Sequence, residues 1–198
     1  MTIPSKAEAI KELELAETLN SGKWIYHSKC VAMICERIAG ACGLDTDKAF
    51  VFGLLHDIGR RFGRCGQRHI YSGYTYCMNK GWDELAKISL THSYLLNDAD
   101  IGGATYDGPE ENWLFIKEYI RNTKYDDFDK LVQLGDSLAS GEGICILERR
   151  MIDVAMRYGI MPNIEKKWKK MFELKSYFDE KCGQSIYNLL PEIKENLE

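Results

Sequence analysis

The sequence predicts an all-α protein, a compact single-domain helical bundle, and three observations carry that prediction. Apolar residues recur at intervals of three and four along nearly the whole chain, the spacing that gathers them on one helical face. No run of alternating, β-branched residues reaches strand length. The four prolines stand mostly at helix starts and ends, where a missing N–H does least harm.

Each element has its own signal. Pro4 and Ser5 open a charged helix that runs to about Asn20, and Ser21 with Gly22 breaks it. A second helix spans roughly Trp24 to Cys42 and ends at Gly43. Asp45 or Thr46 caps a third, whose body from Ala49 to Ile58 is apolar nearly all round and so reads as a central, buried helix. A loop rich in glycine and arginine follows, Gly59 to Gly66. Helices are expected over His69 to Lys80 and Trp82 to Leu96, parted by Gly81, and then a loop from Asn97 to Gly108. Pro109 with Glu110 and Glu111 starts the next helix, because acidic side chains suit the positive end of a helix dipole. Asp126 or Asp127 caps another that continues to about Ser140, and two more occupy Ile144 to Tyr158 and Ile164 to Cys182. No repeat, low-complexity stretch or linker divides residues 1–198.

Composition narrows the function classes. Hydrophobic residues make up 45% and charged residues 28% of 198, the balance of a globular chain with a proper core. A formal net charge of -4 argues against nucleic acid as a partner, since phosphate neutralisation needs a basic surface. The longest strongly apolar run, Ala49 to Leu55, is too short to span a bilayer, and the polar N-terminus is no signal peptide. The seven cysteines are odd in number and form no C-x-x-C pair, so they read as free thiols in a reducing cytoplasm. A soluble cytoplasmic protein without membrane partners is therefore expected.

The informative residues are polar ones on apolar faces. His27 continues the stripe of Val31, Ile34 and Ile38; His92 shares one with Leu85, Ile88 and Leu95. Asp136 lies four after Val132 and three before Ala139, and His56 and Asp57 end the central helix. Burying an uncompensated carboxylate costs on the order of several kcal/mol, and lysines and arginines are scarce on these faces. A divalent cation answers the need, because imidazole and carboxylate are natural ligands of zinc, iron, manganese or nickel. All four histidines of the chain fall in one segment.

In order, His27, His56 with Asp57, His69, His92 and Asp136 resemble the H…HD…H…H…D signature of the HD superfamily of metal-dependent phosphohydrolases. The context is similar too: Leu54 to Gly59 looks like the family's HD helix end, His69 to Gly73 like the following helix start, and Leu134 to Ala139 like the closing aspartate helix. The resemblance covers about Trp24 to Ser140, an HD-like core of residues 24–140, and leaves 141–198 as a C-terminal helical extension that could cover a cleft or join a homodimer. It implies a bundle of the HD type in which His27, His56, Asp57 and Asp136 hold one metal. Asp57 would bridge to a second ion completed by His69 and His92, the pair drawn from iron, manganese, zinc, nickel or magnesium. Adjacent helical positions point about 100° apart, so His56 and Asp57 can share a cluster only where the backbone bends, and Gly59 is expected to permit the bend. His69 follows Asp57 by only twelve positions, and a histidine that fell short would leave a single metal.

The function expected on this basis is hydrolysis of a nucleotide or other small phosphorylated metabolite by metal-activated water. Asp57 and Asp136 would orient the nucleophile, and Arg60 and Arg61, ahead of Arg64 and Arg68, would bind phosphate. The alternative is an HD-type dinuclear iron oxygenase, similar to myo-inositol oxygenase or the phosphonate-cleaving oxygenases, which use the same ligand order. The arginine-rich loop favours hydrolysis. Lys166 to Lys170 reads as a solvated helix face around one buried tryptophan, Trp168. Tyr71, Tyr74 and Tyr76 read as packing rather than as a base pocket.

Overall fold

The computed structural model describes residues 3–101 and 105–195. It is all-α: helices α1 (Lys6–Leu19), α2 (Lys23–Cys42), α3 (Thr46–Leu55), α4 (Arg68–Asn79) and α5 (Asp83–Thr91) precede α6 (Glu110–Asn122), α7 (Asp127–Ser137), α8 (Leu147–Tyr158), α9 (Ile164–Cys182) and α10 (Glu192–Glu195). Short 3-10 helices cover Ile58–Phe62 and Ile186–Leu189. Of the loop expected from Asn97 to Gly108, residues 102–104 lie outside the described residues.

Local chemistry sets most boundaries where the sequence placed them. Ser5 and Glu8 form a reciprocal capping box on α1, the Ser5 N–H donating to Glu8 at 2.8 Å. Asp45 caps α3 by accepting from the Lys48 N–H at 2.9 Å, and Gly43 ends α2 at φ 74°, a left-handed turn that suits glycine. Asp126 and Asp129 cap α7 in the same reciprocal way as Ser5 and Glu8.

Three helix ends differ from expectation. The third helix stops at Leu55 rather than Ile58, and a 3-10 helix replaces the first part of the expected Gly59–Gly66 loop. The fifth stops at Thr91 rather than Leu96, because the Gln133 side chain from α7 takes the carbonyls of Thr91 and Tyr94, both at 3.0 Å. The seventh stops at Ser137 rather than Ser140: Ala139–Ser140 (β1) pairs antiparallel with Gly143–Ile144 (β2) about a Gly141-Glu142 turn, which delays α8 to Leu147.

Helix α2 is the axis of the core, packed by α3, α7 and α9. Its inward residues Val31, Ile34, Cys35 and Ile38 are fully buried. Gly53 of α3 lets the two backbones touch, since a Cβ there would lie 2.8 Å from Ala32 Cα and Val31 O. A second apolar cluster, Ile70, Leu90, Tyr94, Ile116 and Ile120, joins α4, α5 and α6, and Tyr71 and Tyr74 pack there against Phe115 as expected. The seven cysteines are free thiols. No helix among the described residues is long and apolar enough to cross a membrane.

Candidate metal centre

The tightening after Leu55 creates the site. His56 caps α3, and Asp57 sits at φ -100° and ψ 14°, with its carbonyl accepting from the Arg60 N–H at 2.9 Å to begin the 3-10 turn. This turn aims both side chains into one space. The expected bend is present, but the role of Gly59 is steric: a Cβ there would lie 2.0 Å from His69 O and 2.5 Å from Gly73 N. Glycine lets α4 close onto the turn and so brings His69 across the short linkage.

The result is a chain of four imidazoles about one carboxylate. Ring centroids are 5.3 Å apart for His27–His56, 5.0 Å for His56–His92 and 5.6 Å for His69–His92. Asp57 Oδ1 is 2.9 Å from His69 Nε2 and 3.6 Å from His92 Nε2, and its Oδ2 is 3.8 Å from His56 Nε2. Asp136, from α7, meets His27 Nε2 at 3.0 Å. Two overlapping ligand groups result, His27–His56–Asp57 and Asp57–His69–His92, each with potential ligand atoms within 4.8 Å of one another. Asp136 stands outside both groups and reaches the first through His27.

The hydrogen bonds fix which imidazole nitrogens face the cluster. His56 Nδ1 lies 2.7 Å from Gly53 O, His69 Nδ1 2.6 Å from Gly66 O and His92 Nδ1 3.0 Å from Ser89 O. A carbonyl only accepts, so each Nδ1 carries the proton and each Nε2 presents a lone pair inward. His56 Nε2 is buried without a hydrogen-bond partner. His69 Nε2 and Asp57 Oδ1, two acceptors 2.9 Å apart, need a cation or proton between them. Burial lowers the His69 pKa and takes that of His56 to about 4, which disfavours the proton. Burial pushes the Asp57 carboxyl up, but Arg60, His69 and His56 outweigh it and hold it well below the usual carboxylate range. The donor set therefore fits divalent metal.

The arginines part company. Arg60 Nε donates to Asp57 Oδ2 at 2.6 Å, and its Nη2 lies 3.3 Å from His69 Nε2, so this guanidinium faces the cluster from a cleft. Arg61, expected to share phosphate binding, turns away: it is buried, pairs with Glu12 of α1 at 3.0 Å and lies over the Tyr76 ring. Successive side chains of a 3-10 helix with three residues per turn point about 120° apart, so Arg60 faces the cluster and Arg61 locks α1 to the 3-10 turn.

Above the cluster is a cleft of about 600 Å³ whose far wall is α8 and α9. Three contributors escaped the sequence reading. Asp107 accepts from the N–H groups of Gly66 and Arg68 at 2.7 and 2.6 Å and so pins the turn that carries His69. Arg150 of α8 and Lys167 of α9 line the cleft. Lys167 belongs to the run from Lys166 to Lys170, expected to be a solvated face, but Trp168 packs on the core and its neighbour Lys167 lines the cleft.

A sequence model described as the HDOD domain matches residues 5–104, half of the chain. The match takes in α1 through α5 with His27, His56, Asp57, His69 and His92, and ends before Asp136 and the cleft's far wall. No curated protein and no solved structure matches.

Proposed function

We propose that this chain, which belongs to the HDOD-domain family, is a metal-dependent phosphohydrolase acting on a small phosphorylated metabolite, with two metal ions that would share Asp57 among their ligands. One observation carries the reading: two ligand groups share the Asp57 carboxylate, with the Nε2 atoms of His56, His69 and His92 turned toward it. His27, His56, Asp57 and Asp136 would hold one ion, and Asp57, His69 and His92 the other. Such ions supply charge neutralisation at phosphoryl oxygens and a water acidic enough to ionise near neutral pH.

The residues of the chain prepare for this. Backbone carbonyls fix three imidazoles in the ligating tautomer before any ion arrives, which removes an ordering cost. Arg60, anchored on Asp57, offers donors to a phosphoryl oxygen from the cleft side. Asp136 keeps 25% of its side chain exposed against 6% for Asp57, and is the one suited to orient an attacking water. The cleft is walled by residues of both signs and is open to a ligand of metabolite size.

The test is metal analysis followed by a substrate panel. Protein prepared without chelator or metal resin should carry two equivalents of divalent metal and release phosphate from at least one phosphorylated metabolite. Oxygen uptake by iron-loaded protein, with no phosphate released, would replace this reading with the oxygenase one. Loaded protein silent in both assays would make the chain a binding module.

A further inference from the structure

The cleft has two unlike sides. The cluster and Arg60 form its floor, and the wall from α8 and α9 brings Arg149, Arg150, Arg157 and Lys167. The lining carboxylates apart from the cluster are Glu142 and Asp153. Asp153 serves two guanidiniums at once, accepting from Arg150 at 3.0 Å and Arg157 at 2.6 Å. Lys167 Nζ donates to the carbonyl of Ser93 at 3.3 Å, one residue past His92. The ammonium thus sits at the rim of the cluster and not on the outer face of α9.

In a chain of net charge -4 this is a local surplus of cations in a concave, partly desolvated place. Like charges held there repel, and an anion between them relieves the repulsion. The chemistry is that of phosphate recognition: a planar guanidinium donates in pairs, and an ammonium adds a point charge. The floor already accounts for one phosphoryl group. Arg60 stands on the 3-10 turn while Arg150 and Lys167 come from α8 and α9, so the two sets of cations line one cleft from different elements, and its roughly 600 Å³ admits the body of a nucleotide-sized molecule.

We propose that Arg150 and Lys167 bind a second phosphate, so that the substrate is a small molecule phosphorylated at two positions, one held at the cluster and the other against α8 and α9. This rests on the reading of the cluster as a phosphohydrolase centre. The wall lies beyond residues 5–104, the part that the family model matches.

The experiment is calorimetric titration of the manganese-loaded full chain with adenosine 5′-monophosphate and adenosine 3′,5′-bisphosphate. The bisphosphate should bind at least roughly tenfold more tightly, the worth of one charge-assisted contact. Lys167→Met and Arg150→Met should each remove most of that advantage, leaving the monophosphate Kd within about twofold and metal content and helicity unchanged. Lys167→Met alone decides the matter should Arg150→Met disturb α8. Equal affinities in the parent protein, or equal weakening of both ligands in the variants, would overturn the proposal. A bisphosphate preference without phosphate release from any substrate would keep the second anion site and remove only the hydrolase reading.

Discussion

Gly59→Ala tests how the centre is assembled. The added Cβ would lie 2.0 Å from His69 O and 2.5 Å from Gly73 N, both backbone atoms of α4. Neither can swing aside, so α4 must retreat by roughly 1 Å to restore van der Waals contact. Overpacking of this kind costs about 1–3 kcal/mol, and with two backbone clashes the upper end applies. With a urea slope of about 2–3 kcal/mol per molar for a chain of this size, the midpoint should fall by about 1 M in chelator. The same retreat carries His69 away from Asp57 and should weaken the second metal site by about 10–100-fold. Gly40→Ala is the control: this exposed position in α2 meets nothing nearer than Thr46 Cγ2 at 3.5 Å. It should gain about 0.5–1 kcal/mol from helix propensity and leave metal binding alone. A Gly59→Ala protein within about 1 kcal/mol of its parent, with both metals retained, would refute the claim that glycine is there to admit α4.

Other outcomes follow from the same geometry. Arg60→Met should lower kcat/KM by about 100-fold with the metals still bound, as expected of a lost phosphoryl donor. Arg61→Met should leave KM within about twofold but cost about 1.5–3 kcal/mol in urea unfolding, because Glu12 loses a charged partner; the reverse pattern would show the two roles misassigned. Asp57→Ala should bind neither ion while its circular dichroism stays helical, since both ligand groups share that carboxylate; turnover surviving in this variant would remove the site from contention. Acid should destabilise the metal-free protein in a defined window. His56 titrates near 6.5 unfolded and about 4 folded, mainly through burial, so between those values the unfolded chain holds more protons and stability falls as pH falls. The loss is on the order of 3 kcal/mol, and the lowered His69 adds to it in the same direction. Below about pH 4, protonation of Asp57 and Asp136 continues the decline, both being held below the ordinary carboxylate value in the fold. Urea midpoints that stay level from pH 7 to about 4.5 would contradict the buried, neutral state of these imidazoles.

How much of this was legible in advance depends on the range of the interaction involved. Caps at Ser5, Asp45 and Asp126 act within three residues, so reading along the chain suffices to place them. The end of α5 depends instead on Gln133, some forty residues later, and nothing near Thr91 announces it. Arg60 and Arg61 are the sharpest case. They are identical neighbours in one loop, and only the presence of Glu12 and Tyr76 on one side and Asp57 on the other gives them different tasks.

By itself the amino-acid order determined the helical class, most helix starts, and the set of imidazoles and carboxylates that face inward. These follow from periodicity and from the cost of burying charge, which are properties of residue type and spacing. Tertiary structure alone decided that the backbone tightens at His56, that Gly59 lets His69 reach Asp57, and that Lys167 turns from solvent into the cleft. The physical reason is that each depends on a steric or electrostatic partner supplied by a distant part of the chain, and such a partner exists only once the helices have packed.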